Sequence, residues 1–176
     1  IGMLKKAGRI AALILLMIVV FVGFLYFRND IGVPKSKLES DARASQKIRD
    51  GWLVQKDVSD TMAALIFYPE DKTDHTFSIY VNRPGLSFGY FFRAGGDIAA
   101  TEKHIAEFTV EGYNERAFIS MNGQAVERLE IDDGNTLNVV EIDSGKPFAV
   151  ILPLNAGNIT FYDKDGNIVE AYKEAV

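Results

Sequence analysis

Histidine and carboxylate side chains are the residues of this sequence that could carry out acid–base or metal chemistry. There are two histidines, His75 in a polar turn and His104 at the start of an apolar run. A zinc site needs three or four converging ligands, and two isolated histidines have no such spacing. We therefore predict no metal site and interpret both histidines as solvent-exposed residues.

The acidic residues support two weak hypotheses. Alternate residues share a face of a strand, so Glu141 and Asp143 could project together like the facing carboxylates of a glycosidase. A solvated sheet face produces the same pattern. Residues 163–167, Asp-Lys-Asp-Gly-Asn, have glycine at the fourth position, whereas an EF-hand loop needs it at the sixth. This stretch therefore predicts a hairpin turn, with weak calcium binding as the alternative.

Motifs for nucleophilic catalysis and for phosphate binding are missing from the sequence. No serine lies in a G-x-S-x-G context, and neither the Walker A nor the G-x-G-x-x-G pattern occurs. The sequence also has no cysteine, which excludes disulfides, thiolate metal ligands and an acylated cysteine. We predict no catalytic residue and no cofactor.

Residues 88–93, Phe-Gly-Tyr-Phe-Phe-Arg, are the most suggestive stretch of the chain. In a strand, Phe88, Tyr90 and Phe92 would share one face and the next residues the other. If the first face is core, Phe91 and Arg93 point outward beside the gap at Gly89. Aromatic residues and arginine are enriched in interface hot spots, so Gly89, Phe91 and Arg93 form a candidate binding surface. The alternative is a central strand that is covered on both sides, or a Phe91 that is shielded by a loop.

An uncharged apolar run precedes these residues at Ile10–Phe27. Eighteen residues with a helical rise of 1.5 Å span about 27 Å, close to the thickness of the hydrocarbon core of a bilayer. The run predicts a transmembrane signal-anchor helix at 10–27, with the lipid bilayer as its partner. A cleaved signal peptide is the alternative, but its apolar region would be shorter and a small-x-small site would follow closely.

Charge flanking this helix gives a weak prediction of its orientation. The basic residues before it are compact and lack acidic neighbours, so we expect residues 1–9 in the cytoplasm and the C-terminal domain outside it, in the cell membrane. From Asn29 onward the chain has 15 basic and 24 acidic residues. A domain this acidic disfavours nucleic-acid binding. The residues that flank the helix are Lys5, Lys6 and Arg9 on one side and Arg28, Lys35, Lys37 and Arg43 on the other.

Residues 28–51 are predicted to form a partly helical stalk. Ser36 and Glu39 fit a capping box, and Gly51 is a suitable helix stop. We expect a helix over 37–49 that lifts the domain off the bilayer, with contact to a partner helix as the alternative.

From residue 52 to 176 the pattern changes to short apolar runs that are separated by turn residues. Asn122-Gly123 is a strong signal for a two-residue hairpin, and residues 97–104 suit a short helical turn. Some eight to ten strands with a turn about every ten residues predict an all-β fold, an antiparallel β-sandwich or a partly closed barrel. The predicted strands are 62–68, 76–81, 86–94, 104–110, 116–121, 124–129, 137–142, 148–152, 159–162 and 168–172.

These observations favour a non-catalytic, membrane-anchored module outside the cytoplasm that binds a protein partner of the membrane or envelope. A tethered domain has a high effective concentration toward its membrane neighbours, which suits weak protein contacts. Two other functions stay open, a hydrolase of wall glycans that uses paired carboxylates and an anchored adaptor with its domain in the cytoplasm.

Overall fold

Two α-helices precede the β domain. The structure, a computed structural model, describes residues 2–98 and 104–176. Helix α1 is Gly2–Phe27 and helix α2 is Leu38–Ser45, with a 3-10 turn at Lys35–Lys37 between them. The segment Ile10–Phe27 of α1 has a mean hydropathy of 3.0 and is almost entirely exposed. Leu25 is its one buried residue, because the domain lies against the last turn of the helix.

The rest of the described chain contains twelve strands, which form three four-stranded sheets. The strands are β1 Leu53–Val58, β2 Met62–Tyr68, β3 Thr76–Asn82, β4 Tyr90–Gly96, β5 Ile105–Thr109, β6 Glu115–Ser120, β7 Val126–Asp132, β8 Leu137–Glu141, β9 Phe148–Pro153, β10 Asn158–Asp163, β11 Ile168–Val169 and β12 Ala171–Ala175.

The strand order is β1-β2-β3-β4 in the first sheet, β12-β5-β6-β9 in the second and β11-β10-β7-β8 in the third. The prediction of a mostly β fold is confirmed. The structure has more strands than the eight to ten predicted, and β12 pairs with β5 in parallel, whereas the other paired strands are antiparallel.

Three apolar clusters hold these elements in a stack. One lies between α2 and the first sheet and contains Leu38, Ala42 and Leu65. The second lies between the first and second sheets and contains Ile79 and Ile119. The third lies between the second and third sheets. The order of layers is therefore α2, first sheet, second sheet, third sheet.

Helix α2 is shorter than the predicted 37–49 and is packed against the domain. Leu38 and Ala42, one turn apart, are buried against the first sheet. Glu39 accepts hydrogen bonds from Arg43 at 3.1 Å and from Lys56 of β1 at 2.7 Å. Tyr80 of β3 donates to the Asp41 carboxylate at 2.7 Å. The predicted spacer therefore covers one face of the first sheet.

Asn122-Gly123 does not form the predicted hairpin. It connects β6 of the second sheet to β7 of the third. Asn122 is buried, and its Nδ2 donates to the carbonyls of Val126 and Asp143 at 3.1 Å each, while its Oδ1 accepts from the Val126 amide at 2.7 Å. Both asparagine and glycine tolerate the backbone angles of a tight turn, but the side chain here fixes a crossing between layers.

Two predicted strands differ most from the structure, and β1 was not predicted. The strand predicted at 86–94 begins at Tyr90, and the one predicted at 168–172 divides at Glu170 into β11 and β12, which lie in different sheets. The helical turn predicted at 97–104 falls mostly outside the described residues.

Candidate functional site

The chain that leaves α1 is paired with the start of β4. Gly32 N donates to Phe88 O at 2.6 Å, and Phe88 N donates to Asp30 O at 2.9 Å. The amides of Val33 and Tyr90 donate to each other's carbonyls at 2.7 and 2.8 Å. These four hydrogen bonds fasten residues 30–33 to the domain, so the surface around β4 is held next to the end of α1. We call the surface that includes Arg83, Phe91 and Arg93 the helix-proximal face.

Two glycines permit this close pairing. A Cβ on Gly32 would lie 2.5 Å from the carbonyl oxygen of Tyr90, and one on Gly89 would lie 2.7 Å from the carbonyl oxygen of Val33. Gly89 also has φ +82°, which L-residues rarely adopt. Gly89 was predicted to leave a gap in a binding surface. In the structure the backbone of Gly32 and Val33, in the segment that follows α1, fills that gap.

Phe91 lies beneath an arginine. The guanidinium carbon of Arg83 is 3.9 Å from the centroid of the Phe91 ring, a cation–π contact. Arg83 also donates to the carbonyl of Asn29 at 3.3 Å. Phe91 is half-buried, so the group that faces solvent at this position is the exposed Arg83 guanidinium. Arg83 was not among the predicted site residues, because strand alternation over residues 88–93 cannot reveal that a loop residue folds back over Phe91.

Arg93 lies apart from Phe91 in an exposed position. Strand β4 has a register shift opposite Ile79 and Tyr80, where Arg93 is the extra residue. Arg93 lines an open cleft with Val110, Glu111 and Tyr113. Burial raises the pKa of Tyr113, and the nearby charges of Arg83 and Arg93 oppose that shift. Arg83 and Arg93 thus lie on two sides of Tyr113, with Glu111 beside Arg93 and Asp60 beside Arg83.

The other aromatic residues of the stretch 88–92 differ in burial. Tyr90 is buried in the cluster beneath α2, and its hydroxyl donates to the Ser59 carbonyl at 2.5 Å. Burial first, and then the charges of Asp60 and Glu115, raise the pKa of Tyr90. Phe88 and Phe92 are exposed. Of the three residues predicted to face the core, only Tyr90 is buried, because β4 is an edge strand that α2 covers in part.

A cavity of about 290 Å³ lies between α1 and the β3–β4 loop, residues 83–89. Phe21, Phe24 and Leu25 of the helix border it, as do Pro84 and Leu86 of the loop. Its charged lining comprises Arg28, Asp30 and Arg83, and Arg28 pairs with Asp30 at 3.5 Å. The cavity combines apolar walls with an excess of positive charge.

A second cleft, of about 420 Å³, lies between the second and third sheets. Glu107 and Arg116 form an ion pair there, with 3.1 Å between Oε1 and Nη1. Arg116 Nε is buried without a hydrogen-bond partner among the described residues. The pair is electrically neutral, and Glu170 also lines the cleft, so the charged lining has a net charge of −1 and does not favour an anion.

The histidines are placed differently from the sequence prediction. His75 is buried, with 7% of its surface exposed, and its Nε2 lies 3.1 Å from the Ile98 amide nitrogen. The prediction that His75 is a solvated loop residue is wrong. His104 is partly buried against the Tyr172 ring, 4.6 Å between centroids. Among the described residues no group of three or more potential metal ligands comes together.

Two surface carboxylates organise turns. Asp163 accepts hydrogen bonds from the amides of Asp165 and Asn167 and from the Asn167 side chain, and these bonds lower its pKa. Asp143 accepts from Lys146 and from the Gly145 amide, with the same effect on its pKa. Glu141 and Asp143 do not lie on one strand face, because β8 ends at Glu141.

Comparison of the chain with known protein families, with curated proteins and with solved structures found no match.

Proposed function

We propose that this chain is a single-pass membrane protein whose β domain, a stack of sandwich-like layers, lies outside the cytoplasm and serves as a binding or accessory module. The observation that carries the proposal is the helix Ile10–Phe27, which is apolar throughout and only 6% buried. An exposed apolar surface of this size marks contact with lipid or protein, and its length matches a bilayer.

The junction between helix and domain supports an accessory role. The four backbone hydrogen bonds of residues 30–33 leave no free linker at the end of α1. A domain attached in this way presents the same face to every neighbour in the membrane. Because the orientation of the domain in the membrane is already fixed, less rotational entropy is lost when a partner binds, which favours binding.

The binding surface that we propose is the basic part of the helix-proximal face. Arg93 is exposed, and Arg83 lies over the Phe91 ring. Arginine with an aromatic ring is typical of interface hot spots. The rest of the chain after Asn29 is acidic, so this basic surface favours an acidic patch on a membrane or envelope protein.

Membrane insertion and orientation can be tested on intact cells. The chain has no cysteine, so Lys164→Cys, in an exposed turn of the third sheet, gives a unique label site. We expect the protein to stay in the membrane after alkaline carbonate extraction and Lys164→Cys to react with an impermeant maleimide. Labelling only after cell lysis would instead place the domain in the cytoplasm.

In-cell crosslinking of the full chain tests the binding surface. Arg93→Glu should reduce recovery of a membrane or envelope protein, whereas Lys164→Glu, the same charge change at a distant exposed site, should not. Phe91→Ala is a poorer test, because Phe91 is half-buried under Arg83 and its loss would disturb the fold. Recovery of the chain without any partner, or equal loss in both variants, would contradict the proposed surface.

A further inference from the structure

The β3–β4 loop lies beside the last turns of α1. Pro84 and Leu86 of the loop border the same cavity as Phe21, Phe24 and Leu25 of the helix. Phe21 and Phe24 precede the helix end at Phe27 by six and three residues, which corresponds to about 9 and 4.5 Å along the axis. If Ile10–Phe27 spans the bilayer, the loop reaches the depth of apolar helix residues.

Leu86 is the most exposed apolar side chain of this loop, with 73% of its surface accessible. A leucine side chain that is exposed to water is unfavourable, and its transfer to an apolar environment is favourable. Phe88, at the end of the loop, is also exposed. Leu86 borders the cavity against α1, and the backbone of Phe88 pairs with residues 30 and 32, just after the helix.

The loop is held in shape by its own contacts. Gly85 has φ +98°, and the Ser87 hydroxyl donates to the Arg83 carbonyl at 2.7 Å across the turn. Arg83 is in turn fixed by the Asn29 carbonyl and the Phe91 ring. Leu86 is therefore presented at the tip of a closed loop whose shape needs no further partner.

Two guanidinium groups lie at the rim of the same cavity. Arg28 and Arg83 line it together with Asp30, so the charged lining has a net charge of +1. Arginine binds phosphate with paired hydrogen bonds. An apolar tip with arginines beside it matches the order of layers at a bilayer surface, where acyl chains lie below the headgroup phosphates.

We propose that the β3–β4 loop is a second membrane contact, with Leu86 inserted among the lipids beside α1 and with Arg28 on a phospholipid phosphate, which leaves Arg83, over the Phe91 ring, and Arg93 for the protein partner. The inference rests on the proposed function, because α1 must cross the bilayer for the loop to reach it. It goes further by making one face of the domain lie on the membrane rather than stand above it.

Single-cysteine labels in the full chain test this contact. Leu86→Cys, Leu137→Cys and Val20→Cys would each carry an environment-sensitive fluorophore, after reconstitution into nanodiscs of phosphatidylglycerol and phosphatidylcholine. Leu137 is exposed in β8 of the third sheet and serves as the water-exposed control. Val20, within the apolar segment of α1, reports insertion of the anchor.

We expect the label at Leu86→Cys to emit several-fold more strongly and at shorter wavelength than that at Leu137→Cys, and to be quenched by spin-labelled lipids. If Leu86→Cys behaves like Leu137→Cys while Val20→Cys is quenched, the result supports the transmembrane anchor and refutes the loop contact. If Val20→Cys also reports water, the proposed anchor fails and the loop contact fails with it.

Discussion

Strands β2 and β8 are both rich in apolar residues, yet the fold buries them to opposite extents. Every residue of β2, Met-Ala-Ala-Leu-Ile-Phe-Tyr, is buried, and every residue of β8, Leu-Asn-Val-Val-Glu, is exposed. β2 lies inside the first sheet, with α2 on one face and the second sheet on the other. β8 is an edge strand of the outermost sheet. Position in the stack, rather than apolar content, decides burial.

The largest effect should come from matched truncations in these two strands. Leu65→Ala in β2 removes a side chain with no exposed surface and should lower the free energy of unfolding by about 2–5 kcal/mol. Val139→Ala in β8, where 49% of the side chain is exposed, should change it by less than about 0.5 kcal/mol. Denaturant titration of the full chain in mild detergent gives both values. Similar losses would mean that β8 is covered by another surface.

The second effect concerns the crossing from the second sheet to the third. Asn122→Ala removes three hydrogen bonds and leaves the Val126 amide and carbonyl without them. We expect a loss of about 2–3 kcal/mol, because buried polar groups without partners are costly. Asn135→Ala, in an exposed turn, is the control and should be almost neutral in the same titration. An equally neutral Asn122→Ala would argue against a buried crossing.

The third prediction tests the junction between α1 and the domain. Gly32→Ala would place its Cβ 2.5 Å from the Tyr90 carbonyl oxygen, which forces residues 30–33 away from β4. We expect a loss of about 1–3 kcal/mol, as for other local backbone strain, and faster hydrogen exchange at Val33 and Tyr90. Gly145→Ala, where a Cβ meets only the Asp143 side chain, is the comparison. Unchanged exchange at both amides would refute the pairing.

The smallest predicted effect concerns the ion pairs of Glu39, of which the one with Lys56 links α2 to β1. Hydrogen bonds from Lys56 and Arg43, against the opposing effect of burial, hold the pKa of Glu39 below its ordinary value of 4.5. The stabilisation is therefore present above that value and is lost as the pH falls through the lower pKa of the folded state.

Glu39→Gln should cost less than about 1 kcal/mol at neutral pH, since the pair is partly exposed. Parallel pH titrations of stability should show the two proteins converging below pH 4.5. A difference that persists at acid pH would point to packing rather than charge. This prediction sharpens the contrast with β8, which no helix covers.

Much of the β architecture could be predicted from local patterns. β2 was predicted with its exact limits, and β3, β6, β8, β9 and β10 within one or two residues. The binding surface was predicted less well. Phe91 and Gly89 lie against Arg83 and residues 30–33, which are distant from them in the chain. β-Strand periodicity reports only which residues alternate, and it cannot reveal which segment covers an edge strand.

The sequence by itself determined the apolar helix at 10–27, the succession of short strands after it and the lack of a catalytic motif. These features depend on neighbours along the chain, through helix length, alternation and turn residues. Only the tertiary structure decided which strands share a sheet, that Asn122 crosses between layers and that His75 is buried. Such outcomes depend on contacts between distant residues, because burial and pairing are properties of the stack of layers rather than of any one segment.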